Sequence, residues 1–89
     1  MSKPMDPQTA AVCKQALAAL ARVAPDGMAK DSLMDVAQSA VGRPLTTAER
    51  ERVFFTLRDR GWVMKRTNSY TGMETWGVTP DGSDAMEAI

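Results

Sequence analysis

Histidine is absent from this chain and cysteine occurs once, at Cys13. With no histidine, a Ser–His or Cys–His nucleophile cannot be assembled. With a single cysteine, no internal disulfide can form and the usual zinc ligands are missing. No glycine-rich loop of the phosphate-cradling kind is present. No apolar run reaches the length of a membrane span, and the opening MSKPMDPQ lacks the apolar core of a secretion signal. Aromatic residues make up only 6%, and eleven basic and eleven acidic side chains give a formal net charge of zero. A neutral total supplies no global field toward nucleic acid or anionic lipid. Together these absences predict a protein that is not an enzyme, needs no metal or cofactor, stays off membranes and occupies the reducing cytoplasm.

What is present suits one small domain. Eighty-nine residues, 44% of them apolar, are enough for a single modest core. Residues 1–6 read as a flexible tail and 7–89 as the domain. The charge is unevenly spread: residues 42–70 hold seven basic and three acidic side chains, and residues 71–89 hold four acidic and no basic ones. Asp6-Pro7 starts a helix, with Asp as cap and Pro at the first helical position. An alanine-rich stretch carries it to about Val23, with Ala10, Cys13, Leu17, Leu20 and Ala24 facing inward. Pro25-Asp26-Gly27 ends it with turn chemistry. A second helix is expected from Lys30 to Val41, its apolar stripe made of Leu33, Val36, Ala37, Ala40 and Val41 with Met34 at the edge, and Gly42 as its stop. Leu45 then points inward.

The third helix starts at Thr46 or Thr47, since Thr46 followed by Glu49 matches a capping box. At about 100° per residue, Val53, Phe54 and Leu57 share one face. The opposite face carries Ala48, Glu51, Arg52, Phe55, Thr56 and Asp59. Gly61 ends this helix, and two β-rich runs, Trp62–Arg66 and Glu74–Val78, flank a polar turn at Thr67–Met73. Thr79-Pro80 caps a last helix that runs to about Ala88. Trp62 and Trp76 read as core and sheet-packing residues, and Met34, Met64 and Met86 as core or edge fillers. Cys13 reads as a small buried apolar group. The fold class is therefore mainly α with a small β-hairpin, in the order α-α-α-β-β-α.

A helix that ends at glycine and feeds straight into a hairpin resembles the recognition helix and wing of a winged helix-turn-helix domain. LRDRGWVMKR, residues 57–66, resembles the L-x-x-x-G-[LWY]-[VI]-x-[KR] signature of MarR- and PadR-like winged-helix regulators. TWGVTPDGSDAM, residues 75–86, resembles their wing return, W/Y-x-[LV]-T-x-x-G, leading into a final helix. The two stretches cover much of the C-terminal half. The connection VGRPLTT departs from the tighter turn of these families. The resemblance implies sequence-specific duplex DNA binding by a small transcriptional regulator, with the third helix in the major groove and the wing on the backbone. Carried onto this sequence, Thr47, Arg52 and Thr56 would reach bases or nearby backbone. Arg43, Lys65 and Arg66 would hold phosphates, and Asn68, Ser69 and Tyr70 would form the wing tip. Arg52 is the strongest base-reader, because a guanidinium pairs bidentately with guanine. A homodimer is expected, since one module of this size has limited affinity; the first and last helices are its candidate surfaces.

Plainer accounts stand beside these. Arg52 can be a solvated arginine paired with Glu49, Glu51 or Asp59. Lys65 and Arg66 can be charges that protect an edge strand. Tyr70 can pack on its own turn. Phe55 has three readings: burial through a rotated third helix ranks first, an anchor for a protein partner second, and contact with a thymine methyl third. The alternative function is a winged-helix protein-interaction module that does not bind DNA, favoured by the neutral total charge and by Phe55.

Overall fold

The computed structural model describes residues 6–24 and 26–88. Apart from Asp6, the expected tail lies outside these residues, as does Pro25 of the expected turn. The elements are α1 (Pro7–Val23), α2 (Lys30–Ala37), α3 (Thr47–Asp59), β1 (Val63–Thr67), β2 (Glu74–Val78) and α4 (Pro80–Ala88). The order is α-α-α-β-β-α, a winged-helix-like arrangement with a two-stranded antiparallel wing. Among the described residues, no helix is long and apolar enough to cross a membrane.

The helix ends follow the local chemistry. The Asp6 carboxylate accepts from the Thr9 amide and caps α1, with Pro7 at the first helical position. At α3 the Thr46 hydroxyl accepts from the Glu49 amide, and the Glu49 carboxylate accepts from the Thr46 amide, which completes a capping box. The far end of α3 is a Schellman closure: the Trp62 amide donates to the Leu57 carbonyl and the Gly61 amide to the Arg58 carbonyl, with Gly61 at φ +70°. The Thr79 hydroxyl accepts from the Gly82 amide and opens α4.

The core is built around α1, which packs against α2, α3, α4 and β2. That central position overturns the single inward stripe expected of α1. Cys13, Leu17 and Leu20 are buried as expected, but Thr9, Val12, Ala16 and Ala19 join them; Ala10 is only half-buried and Ala24 is exposed. A helix covered on several sides buries a wider arc than one lying on a surface. Cys13 is fully buried, and burial pushes its thiol up to about 11.

The second helix is also corrected. α2 stops at Ala37 and tightens into a 3₁₀ turn at Gln38–Ala40. Leu33, Met34 and Ala37 form its buried face, so Met34 is core, whereas Val36 and Ala40 are exposed and Val41 is half-buried. The 3₁₀ turn has about three residues per turn, which rotates Ala40 off the stripe that a continued α-helix would have kept. Leu45 is buried, and Val53, Phe54 and Leu57 are the buried residues of α3, as the periodicity predicts. Met64 is exposed, not core.

The wing pairs Val63 with Val78, Lys65 with Trp76 and Thr67 with Glu74. The first β run thus starts at Val63, one residue later than expected, and includes Thr67. A third piece of sheet was not foreseen. Met28 bridges Trp76 on the other edge of β2: the Met28 amide donates to the Trp76 carbonyl (2.9 Å) and the Trp76 amide donates to the Met28 carbonyl (2.7 Å). The turn before α2 makes this approach possible. Gly27 sits at φ +79°, and a Cβ there would lie 2.5 Å from the Trp76 carbonyl oxygen. Gly42 also has positive φ, +68°, but nothing lies within 4 Å of its would-be Cβ. Gly42→Ala should therefore cost about 1 kcal/mol, the left-handed backbone penalty alone. Gly27→Ala should cost about 3 kcal/mol or more, because strain and a backbone clash add. Urea unfolding of the two variants checks this; equal losses would mean that the Met28–Trp76 bridge contributes nothing to stability.

Candidate nucleic-acid interface

α3 is held in place by ion pairs that use up most of the acids near it. Arg50 reaches α2, donating to Asp35 (2.7 Å) and Gln38 (3.2 Å). Gln38 in turn accepts from the Leu45 amide and pins the connecting loop. Lys30 of α2 pairs with Glu51 at 2.9 Å and stands over the Phe54 ring. Arg43 grips Glu49 through both terminal nitrogens, at 2.9 and 2.8 Å, and donates to the Pro44 carbonyl. Gln8 of α1 adds a further donor to Glu49. These donors, Arg43 first, hold the Glu49 carboxyl well below the usual carboxylate range. On the wing, Lys65 pairs with Glu74 at 2.8 Å.

Four arginines of this region have no carboxylate partner among the described residues: Arg52, Arg58, Arg60 and Arg66. Arg52 is exposed on the outward face of α3, and none of the expected pairings with Glu49, Glu51 or Asp59 is formed; the two glutamates are bonded to other cations, and Asp59 is in no ion pair among the described residues. Arg58 stands where α3 meets the wing, 5.9 Å from the Phe54 ring centre and 5.4 Å from that of Trp76. Arg60, at the C-terminal end of α3, lies over Trp62, 5.5 Å from its ring centre. Arg58 was missed in the sequence, where its position beside Phe54 conceals it. Its signal is the Trp76 partner, which only the folded wing supplies.

The remaining expected site residues lie on α3, on the wing strands and at the wing tip. Thr47 is exposed on the first turn of α3. Thr56 is half-buried, and its hydroxyl donates back to the Arg52 carbonyl at 2.8 Å, so it is occupied by its own helix. Lys65 and Arg66 are adjacent in a strand and so point to opposite faces of the wing. Lys65 shares the Trp76 face, toward α3. Arg66 lies across Gly77, where a Cβ would come within 2.6 Å of its Nε. That Nε is buried without a partner, and the guanidinium borders an open groove of about 390 Å³ with Asn68, Tyr70 and Asp26. The two cations cannot clamp the same phosphate.

The wing tip is a bonded turn. The Asn68 side-chain oxygen accepts from the Tyr70 and Thr71 amides, the Asn68 amide donates to the Met73 carbonyl, and the Gly72 amide donates to the Asn68 carbonyl. Asn68 is thus committed to building the turn. Ser69 and Tyr70 are exposed, and Tyr70 does not pack on its own turn: it is 96% exposed. Phe55 is 66% exposed, which overturns the reading of it as a buried residue; α3 has the rotation that the periodicity predicts.

The Glu49 cluster generates a pH prediction. A carboxyl whose folded value lies below its ordinary 4.5 stabilises the fold at neutral pH, and that contribution is lost as pH falls below about 4.5. Glu49→Gln should therefore unfold at lower temperature than the wild type at pH 7, with the gap closing in acid. Thermal melts across that range measure it, and a gap independent of pH would contradict the assignment.

No protein-family model, no curated protein and no solved structure matches this chain.

Proposed function

We propose that this chain is a small winged-helix DNA-binding protein of the MarR- and PadR-like kind, a transcriptional regulator that places α3 in the major groove and its wing on the backbone. One observation carries this reading. Glu49, Glu51 and Glu74 are all bonded to cations, whereas Arg52 and Arg58 on α3 are not bonded to any acid of the described residues. Asp59 is the one acid of α3 outside these pairs, so Arg52 and Arg58 leave the outward face of α3 and its junction with the wing with a small net positive charge on a neutral protein. Neutralising phosphates supplies most non-specific DNA affinity, so the local excess matters more than the total. Arg52 would read guanine, Arg58 and Lys65 would meet phosphates on the side of α3 toward the wing, and Tyr70 would be carried toward the duplex on its hydrogen-bonded turn. Arg43 would contribute only by sharing itself with Glu49. A homodimer through α1 and α4 would join two half-sites.

Anisotropy of a generic fluorescent duplex, at low and then near-physiological salt, tests this. Binding should weaken steeply with salt, and Arg58→Ala should reduce the log–log slope by about one. Absence of binding at low salt would reject the DNA reading, and the chain would then be treated as a protein-interaction module centred on Phe55.

A further inference from the structure

We infer that Phe55 reads the C5-methyl group of a thymine beside a guanine held by Arg52, so that α3 recognises a guanine–thymine step. This rests on the DNA-binding reading and deepens it.

Phe55 occupies the middle of the outward face of α3. At about 100° per residue, Arg52 lies about 60° to one side of it and Arg58 about 60° to the other. Both arginines are exposed and free of carboxylates among the described residues. Of the acids one turn either side, Glu51 is bonded to Lys30, and Asp59 is exposed beside Arg58 at the C-terminal end of the helix, away from Arg52. A ring 66% exposed in water between two uncommitted guanidinium groups is costly to keep as surface. In a major groove the arginines would meet guanine and phosphate, and the ring would meet the one apolar group that the groove offers, the thymine methyl. Three residues separate Arg52 from Phe55, a rise of about 4.5 Å. That exceeds one base step of about 3.4 Å and falls short of two, so the two side chains would address neighbouring base pairs. Ala48, two turns before Phe55, is exposed and small, which lets the duplex approach the helix closely.

A protein anchor would look different. Interface hot spots cluster in apolar pockets. The other exposed large apolar residues, Val23, Val36, Met64, Tyr70 and Met73, all lie on other elements. The shallow hollow at Phe55 is shared only with Arg58 and Asp59.

The test starts from duplexes selected by the wild-type protein from a randomised library. Each selected site is then remade with deoxyuridine in place of thymine, which removes only the methyl group. The selected sites should carry a thymine next to the guanine. Deoxyuridine should weaken wild-type binding about fourfold, the worth of one buried methyl. Phe55→Ala should bind the two duplexes alike, and its own selection should keep the guanine and lose the thymine. Equal wild-type affinity for both duplexes, or selected sites without the thymine, would overturn the inference while leaving salt-dependent DNA binding in place. Loss of all binding at low salt would overturn the DNA reading and this inference together.

Discussion

Trp76 ties the wing to the helices through both its backbone and its ring. Its amide and carbonyl exchange hydrogen bonds with Met28, and its ring meets Phe54 of α3 edge to face, with centroids 4.9 Å apart. Arg58 closes over the pair. A two-stranded hairpin alone is marginal in water, so the angle of this wing to α3 depends on these contacts. They depend in turn on Gly27, which lets the chain before α2 come against the Trp76 carbonyl. The turn after α1, the wing and α3 thus form one mechanical unit.

Electrostatics work on this frame by subtraction. Acids and bases are equal in number over the chain, and exposed ion pairs contribute little stability each. Their effect here is one of position. Lys30, Arg43 and Lys65 tie up Glu51, Glu49 and Glu74, and Arg50 ties α3 to Asp35 of α2. Along α3 and the wing these pairs leave four arginines and one acid, Asp59, uncommitted, and two of the four arginines flank Phe55. The same pairs brace the long connection between α2 and α3, where Arg43 bridges Pro44 and Glu49 and Gln38 accepts from Leu45. The loop that departs from the tight helix-turn-helix connection is therefore held by side chains instead of by brevity.

Much of the architecture was legible in short-range chemistry. Capping at Asp6 and Thr46, the glycine stop after α3, the boundaries of the second wing strand and the rotation of α3 all follow from groups within a few residues of one another, whose preferences are set by backbone geometry and helical period. The same period placed Phe55 outside, and the general tendency of phenylalanine to be buried was the weaker guide. Periodicity failed where burial is two-sided or the period changes. α1 is covered by α2, the 3₁₀ turn, α3, α4 and β2, so Thr9, Val12, Ala16 and Ala19 are buried with the expected stripe, and the 3₁₀ turn after Ala37 carried Ala40 outward.

The candidate site divides along the same line. Residue types and their spacing alone specified that Arg52 and Phe55 share the outward face of α3 and that Asn68 to Tyr70 form the hairpin tip. Which charges remain uncommitted was decided only by the folded chain. Arg43 and Lys65 are taken by glutamates, Lys65 and Arg66 stand on opposite faces of the wing, and Arg58 gains its place from Trp76, eighteen residues away. Pairing between side chains far apart in the chain depends on distances that local preferences do not encode, and those distances exist only once α1 has gathered the other elements around it.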